Sequence, residues 1–200
     1  IGARHMPIGA TPGFLKKTGF NCLRWIAVGG DGMTLPVTPL PKNLGGLMFY
    51  PYLYLLGDLS RDEKKRKQSL AALIRKVRNH PALLCYEQRN EPACTWRDYA
   101  RAQGAPEGMA AGSAVIRELD PDHPIRVGHL VGNLVSTLKK YNPAVDILGC
   151  NPYVLIAPGQ RLFVGARQDG KLVDCQDQTL SAVGELTTKM MRVAEGRPVW

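Results

Sequence analysis

The feature that most constrains this chain is an alternation: apolar runs of strand length separated by stretches with helical spacing. Residues 21–28, after a break at Gly19, read as a buried strand. Residues 45–55 (GGLMFYPYLYL) form another apolar run, in which Pro51 predicts a strand that ends early. Residues 82–91 (ALLCYEQRNE), 125–130 (IRVGHL) and 145–153 (VDILGCNPY) continue the series, and RPVW closes it. HMPIGA supplies a further strand, placed at residues 6–9. Between these lie a short first helix at about residues 11–18, a helix at 60–78, helical segments on both sides of a Gly/Pro interruption between Trp96 and Pro124, a short helix at 134–141 and a last helix within 178–196.

Strands that alternate with helices predict a parallel sheet of βα units, and near-continuous apolar strands such as VDILGC fit a sheet covered on both faces. Two architectures remain, a (β/α)8 barrel and a doubly wound open sheet. No GxGxxG follows the first strand, and polar residues gather at the C-terminal ends of several strands, so the barrel is expected. The fold class is therefore α/β: a (β/α)8 TIM barrel, incomplete, with roughly strands one to seven in a single partial domain over residues 1–200. The chain begins at Ile1 without an initiator Met and ends on Trp200, which reads as a piece of something longer. Two unpaired strand edges would then favour self-association.

Composition enters mainly to exclude. The hydrophobic share of 44% suits a globular protein, and no window approaches a membrane-spanning length. No basic segment followed by an apolar one marks a leader at the start. Five cysteines without a CxxC pair support neither a metal site nor a disulfide framework; Cys22, Cys85 and Cys150 lie in apolar runs, as buried thiols do. No metal and no cofactor are expected. The net charge of +9 draws most densely on SRDEKKRKQSLAALIRKVRNH. Ser60 and Glu63 there have capping-box spacing, Leu70, Leu73, Ile74 and Val77 repeat at helical period, and the cations fall mostly on the opposite face. That describes a solvated helix exterior, and no nucleic-acid motif accompanies it. No nucleic-acid or membrane partner is expected.

The candidate site lies at the strand ends: Asn21 and Arg24 around the second strand, Tyr52 and Tyr54 after the third, Asn90 and Glu91 after the fourth, His129 after the fifth, Asn151 and Tyr153 after the sixth, and Trp200 ending the seventh. Aromatic faces that stack on sugar rings, beside groups that hydrogen-bond hydroxyls, suit a carbohydrate.

GFNCLRW, RNHPALLCYEQRNEP, LDPDHPI, VDILGCNPY and GRPVW come one after another in an order that resembles the clan A glycoside hydrolases, the retaining barrel glycosidases that include cellulases, mannanases, β-galactosidases and β-glucuronidases. The resemblance covers nearly the whole chain. It implies hydrolysis of O-glycosidic bonds in an oligosaccharide, polysaccharide or glycoside. It also implies that Glu91 is the general acid/base, Asn90 the amide on the sugar 2-hydroxyl, Arg24 the arginine under the nucleophile and Tyr153 the tyrosine that orients it. Arg24 is equally readable as a structural cation paired with Glu87. His129, Asn151 and Trp200 complete the expected substrate contacts.

The family's nucleophile is a glutamate just beyond a run like RPVW, a position that falls past Trp200. Asp146, Glu185 and Glu195 sit where none would replace it. Arg89 stands where the family has a small residue, and strand alternation places it on one face with Glu87 and Glu91, ready to pair with either. The rival reading is a catalytically inactive carbohydrate-binding or scaffold barrel.

Overall fold

The computed structural model describes residues 2–3, 11–26, 43–93, 102–130, 132–151 and 182–200. Six parallel strands form one sheet: β1 (Gly2–Ala3), β2 (Cys22–Ile26), β3 (Met48–Tyr52), β4 (Tyr86–Glu87), β5 (Ile125–Leu130) and β6 (Ile147–Asn151). Their spatial order is their chain order, without the reversal of a doubly wound sheet. Val199 adds a parallel bridge to Leu148 at the far edge, which is where the seventh strand was expected. The first strand was expected at residues 6–9; β1 lies at Gly2–Ala3, and residues 6–9 are outside the described set.

The sheet is rolled. Four strand steps separate β3 from Val199, about 19 Å if the sheet were flat. Yet the rings of Tyr50 on β3 and Trp200 stand 5.7 Å apart. Curvature on that scale gives the sheet an inner and an outer face with different chemistry.

The outer face carries the main core. Leu23, Trp25, Phe49, Tyr86, Ile125, Val127 and Leu148 are buried there with residues of the flanking helices. Those helices are α1 (Pro12–Lys17), α2 (Glu63–Val77), α3 (Pro106–Leu119), α4 (Val135–Lys139) and α5 (Ala182–Ala194). Each buried Leu, Ile or Phe contributes about 1.5–3 kcal/mol, which makes this layer the principal source of stability. α1 starts where Thr11 Oγ1 accepts from the Phe14 amide, with Pro12 in the first turn. α2 buries Leu70, Leu73, Ile74 and Val77, as its periodicity predicts, and exposes Lys64, Lys65, Lys67, Arg75 and Lys76. Its start differs from expectation. The capping box does not form; the helix begins at Glu63, and the Ser60 amide donates to Asp58 Oδ1.

Asp58 binds two segments. Its Oδ2 accepts from the Ala105 amide just before α3, and the Leu59 amide donates to the Gly108 carbonyl. α3 thereby lies on the 3-10 turn Tyr54–Gly57 so closely that a Cβ on Gly112 would sit 2.2 Å from the Gly57 carbonyl oxygen.

β4 departs from simple alternation twice. Phe49 and Leu53 amides donate to the Ala82 and Glu87 carbonyls, so four residues of advance on one strand meet five on the other. The extra residue lies opposite Pro51, which has no amide hydrogen to give to the ladder. On the other side, Gln88 and Glu91 amides donate to the Arg126 and Gly128 carbonyls, three residues against two. This second bulge falls between Gln88 and Glu91.

Because the Gly112 clash involves rigid backbone, Gly112→Ala is expected to destabilise the fold by about 3 kcal/mol. Gly184→Ala, in α5 with open space at its Cβ, is expected to stabilise by about 1 kcal/mol. Urea unfolding of both variants checks the pair; equal effects would contradict the close packing.

Candidate active site

The inner face of the sheet is polar where the outer one is apolar. Gly128 and Gly149 are register partners in β5 and β6, and their missing side chains let neighbouring groups approach the inner face closely. A Cβ on Gly128 would lie 3.1 Å from Asn90 Oδ1, and one on Gly149 would lie 2.6 Å from the Trp200 carbonyl oxygen and 3.4 Å from an Arg126 guanidinium nitrogen.

On this inner face three charged groups from three strands come together. Arg24 Nε of β2 donates to Glu87 Oε2 of β4, and Arg126 Nη1 of β5 lies 3.4 Å from Glu87 Oε1. Glu87 is 3% exposed and Arg24 6%. The Arg24 guanidinium also stacks 3.7 Å over the Tyr52 ring, and that of Arg126 lies 4.6 Å from the Trp200 ring and 5.2 Å from that of Tyr50. One carboxylate thus serves two guanidiniums. Arg24 Nη2 and Arg126 Nε have no hydrogen-bond partner among the described residues. Burial, together with the negative charge of Glu87, pushes the Tyr50 phenol up to about 12. Burial also raises that of Tyr52 against the opposing pull of Arg24, so both remain protonated donors at neutral pH.

At the C-terminal ends of the strands a second group forms. Asn151 Nδ2, closing β6, donates to Glu91 Oε1 at 2.6 Å and lies 3.2 Å from Asn90 Oδ1. The backbone N–H of Asn90 donates to the Tyr52 hydroxyl oxygen at 3.4 Å. Glu91 adopts φ +51°, a conformation uncommon outside glycine, while its amide donates to Gly128 O at 2.7 Å. Bulge and left-handed turn together aim the carboxylate across the strand ends towards β6, where the amide of Asn151 holds it in one orientation. A partly exposed carboxylate fixed by an amide, beside a second amide and a phenol, can exchange a proton with a bound oxygen and hydrogen-bond neighbouring hydroxyls.

Of the residues expected from the sequence, Asn90, Glu91 and Asn151 are brought together, and Arg24 lies beneath them through Tyr52. Arg24 does pair with Glu87. Trp200 reaches the inner face, half exposed, against Tyr50 and Arg126. Tyr153 lies outside the described residues.

His129 is not part of the group. With Ile125 and Val127 it points to the outer face, where its ring is fully buried 5.9 Å from that of Tyr141. Neither ring nitrogen has a hydrogen-bond partner among the described residues. The expectation that Arg89 shares a face with Glu87 and Glu91 also fails, because the second bulge resets the alternation. Arg89 instead donates to Gln103 Oε1 and stacks over Tyr54. Arg126 was absent from the expected set, although an arginine between Ile125 and Val127, on the same strand face as Gly128, was a visible signal. Asp146 and Glu195 are engaged elsewhere: Asp146 accepts from Arg117 and the Ile125 amide, Glu195 from Lys139 and Asn142.

Burial of His129 depresses its imidazole to about 3 from the usual 6.5. The unfolded chain takes up a proton below pH 6.5 and the folded one does not, so stability falls as pH drops through that window. The expected loss is about 2 kcal/mol between pH 7 and pH 5. His129→Leu should abolish this component in urea titrations at the two pH values. An unchanged pH dependence would place the ring in contact with water.

No protein-family model matches the sequence, and no curated protein does. Solved structures do resemble it in fold. A beta-glucuronidase from Bacteroides uniformis matches with a TM-score of 0.57 at 15% identity, over 92% of this chain and 20% of that one. A beta-galactosidase from the psychrophilic Marinomonas ef1 gives 0.53 at 10% identity, over 76% and 40%. A GH2 beta-galacturonidase from Eisenbergiella tayi, bound to galacturonate, gives 0.51 at 16%, over 92% and 29%. The chain therefore spans less than half the length of each. At these identities the likeness is one of fold.

Proposed function

We propose that this chain is part of a retaining glycoside hydrolase of clan A, built on a (β/α)8 barrel, in which Glu91 is the general acid/base. The observation that carries the reading is the clasp of Asn151 on Glu91 beside Asn90 at the C-terminal ends of β4 and β6, the edge where barrel enzymes place their chemistry. The sequential parallel order, the inward roll of the sheet and the fold likeness to the three glycosidases support the barrel.

In this reading Glu91 protonates the leaving glycosidic oxygen and then takes a proton from the water that releases the sugar. Asn90 holds the 2-hydroxyl, and Tyr52, Tyr153 and Trp200 contribute hydrogen bonds and stacking. A second carboxylate must lie about 5 Å from Glu91 to attack the anomeric carbon. The resemblance places it past Trp200, and Arg24 Nη2, which has no partner among the described residues, is its anchoring donor.

Hydrolysis of a panel of aryl β-glycosides by this chain and by a form extended past Trp200 tests the reading. Activity is expected in the extended form, reduced about a hundred-fold or more by Glu91→Gln. A folded extended form that cleaves nothing in the panel would leave a carbohydrate-binding or scaffold barrel. Cleavage indifferent to Glu91→Gln would remove Glu91 from the mechanism.

A further inference from the structure

Among the described residues three arginines are buried to 7% exposure or less, and two have a carboxylate. Arg24 pairs with Glu87, and Arg66 reaches Asp62 at 4.0 Å while donating to the Asp58 carbonyl. Arg89 has no carboxylate partner among the described residues. Its Nη2 donates to Gln103 Oε1 at 3.1 Å, while Nε and Nη1 are buried and have no partner among the described residues. An enclosed guanidinium with two idle donor nitrogens is costly to hold unless something negative completes it.

Its position says what that is. Arg89 directly precedes Asn90 and Glu91, and its guanidinium lies 5.0 Å over the ring of Tyr54, itself 5.7 Å from that of Tyr52. Tyr52 and Tyr54 are both partly exposed, and the Tyr52 hydroxyl meets the Asn90 amide. The aromatic pair therefore lies between the backbone of Asn90 and a cation that has no anion among the described residues. Neither neighbouring carboxylate competes for the role: Glu87 is taken by two arginines and Glu91 is turned to Asn151.

Resting on the function proposed above, we infer that Arg89 binds an acidic substituent of the substrate, a carboxylate or a sulfate ester, on a sugar ring lying against Tyr52 and Tyr54. The planar fork of the guanidinium suits two parallel bonds to either group.

Binding to the unmodified chain is measured with methyl β-glycosides of gluco and galacto configuration, each as the neutral sugar, its C6 carboxylate and its C6 sulfate. At least one acidic member is expected to bind about ten-fold or more tightly than its neutral counterpart, and the two acidic arms tell carboxylate from sulfate. Arg89→Met should erase the preference without lowering the melting temperature, because it removes an uncompensated buried charge, and Arg89→Lys should retain part of it. No preference in any set, or a preference that survives Arg89→Met, would overturn the inference. If Arg89→Met does not fold, a reduced preference in a folded Arg89→Lys supports the assignment and an unchanged preference opposes it. A chain that prefers acidic glycosides yet cleaves none, even in its extended form, would sink the hydrolase reading and keep this one. Cleavage of neutral and acidic glycosides alike, with no difference in binding, would do the reverse.

Discussion

Glu87 is the residue on which the inner face depends. Its carboxylate joins β2, β4 and β5 through Arg24 and Arg126. Bringing two arginines to the inner face of a sheet without an anion is costly, because each guanidinium loses its hydration. Pairing turns that cost into a geometric demand: the three strands must keep the register that puts the charges together. The aromatic rings then complete the layer, with Arg24 over Tyr52 and Arg126 against both Tyr50 and Trp200. The contact between Tyr50 and Trp200 draws two distant strands towards one another across the interior.

A fixed register at Glu87 matters because the candidate site begins three residues later, at Asn90 and Glu91. The one extra residue between Gln88 and Glu91 decides which side chains face that site. With strict alternation, Arg89 would stand on the inner face with Glu87 and Glu91. With the bulge, Arg89 moves against Tyr54 and Gln103, and Glu91 turns through a positive φ towards Asn151. A single residue of slippage therefore separates a carboxylate next to a guanidinium from one held by a neutral amide. Those are different electrostatic environments for the same side chain.

Much of the architecture was legible in the sequence because burial has a period. β2, β5, β6, α2 and α5 fall where their apolar patterns put them, and the same patterns point to a parallel sheet. The juxtaposition of Asn90, Glu91 and Asn151 came from reading strand ends alone. The failures have local causes. Ser60 and Glu63 have the spacing of a capping box, but Asp58 takes the Ser60 amide and α2 starts later. The face of Arg89 depended on a bulge that leaves no mark in composition or period. His129 is different: it shares parity with Ile125 and Val127, so its outward direction was readable and was overridden by its place at a strand end.

The most direct test of Glu91 as the acid/base is a crystal structure of the Glu91→Gln protein, in the form extended past Trp200, with an aryl β-glycoside bound. The sugar is expected at the C-terminal ends of β4 and β6, its glycosidic oxygen within hydrogen-bond reach (about 3 Å) of the side chain at position 91, and its 2-hydroxyl on Asn90. A glycoside bound elsewhere on the protein, or one at this edge with its glycosidic oxygen turned away from position 91, would contradict that role.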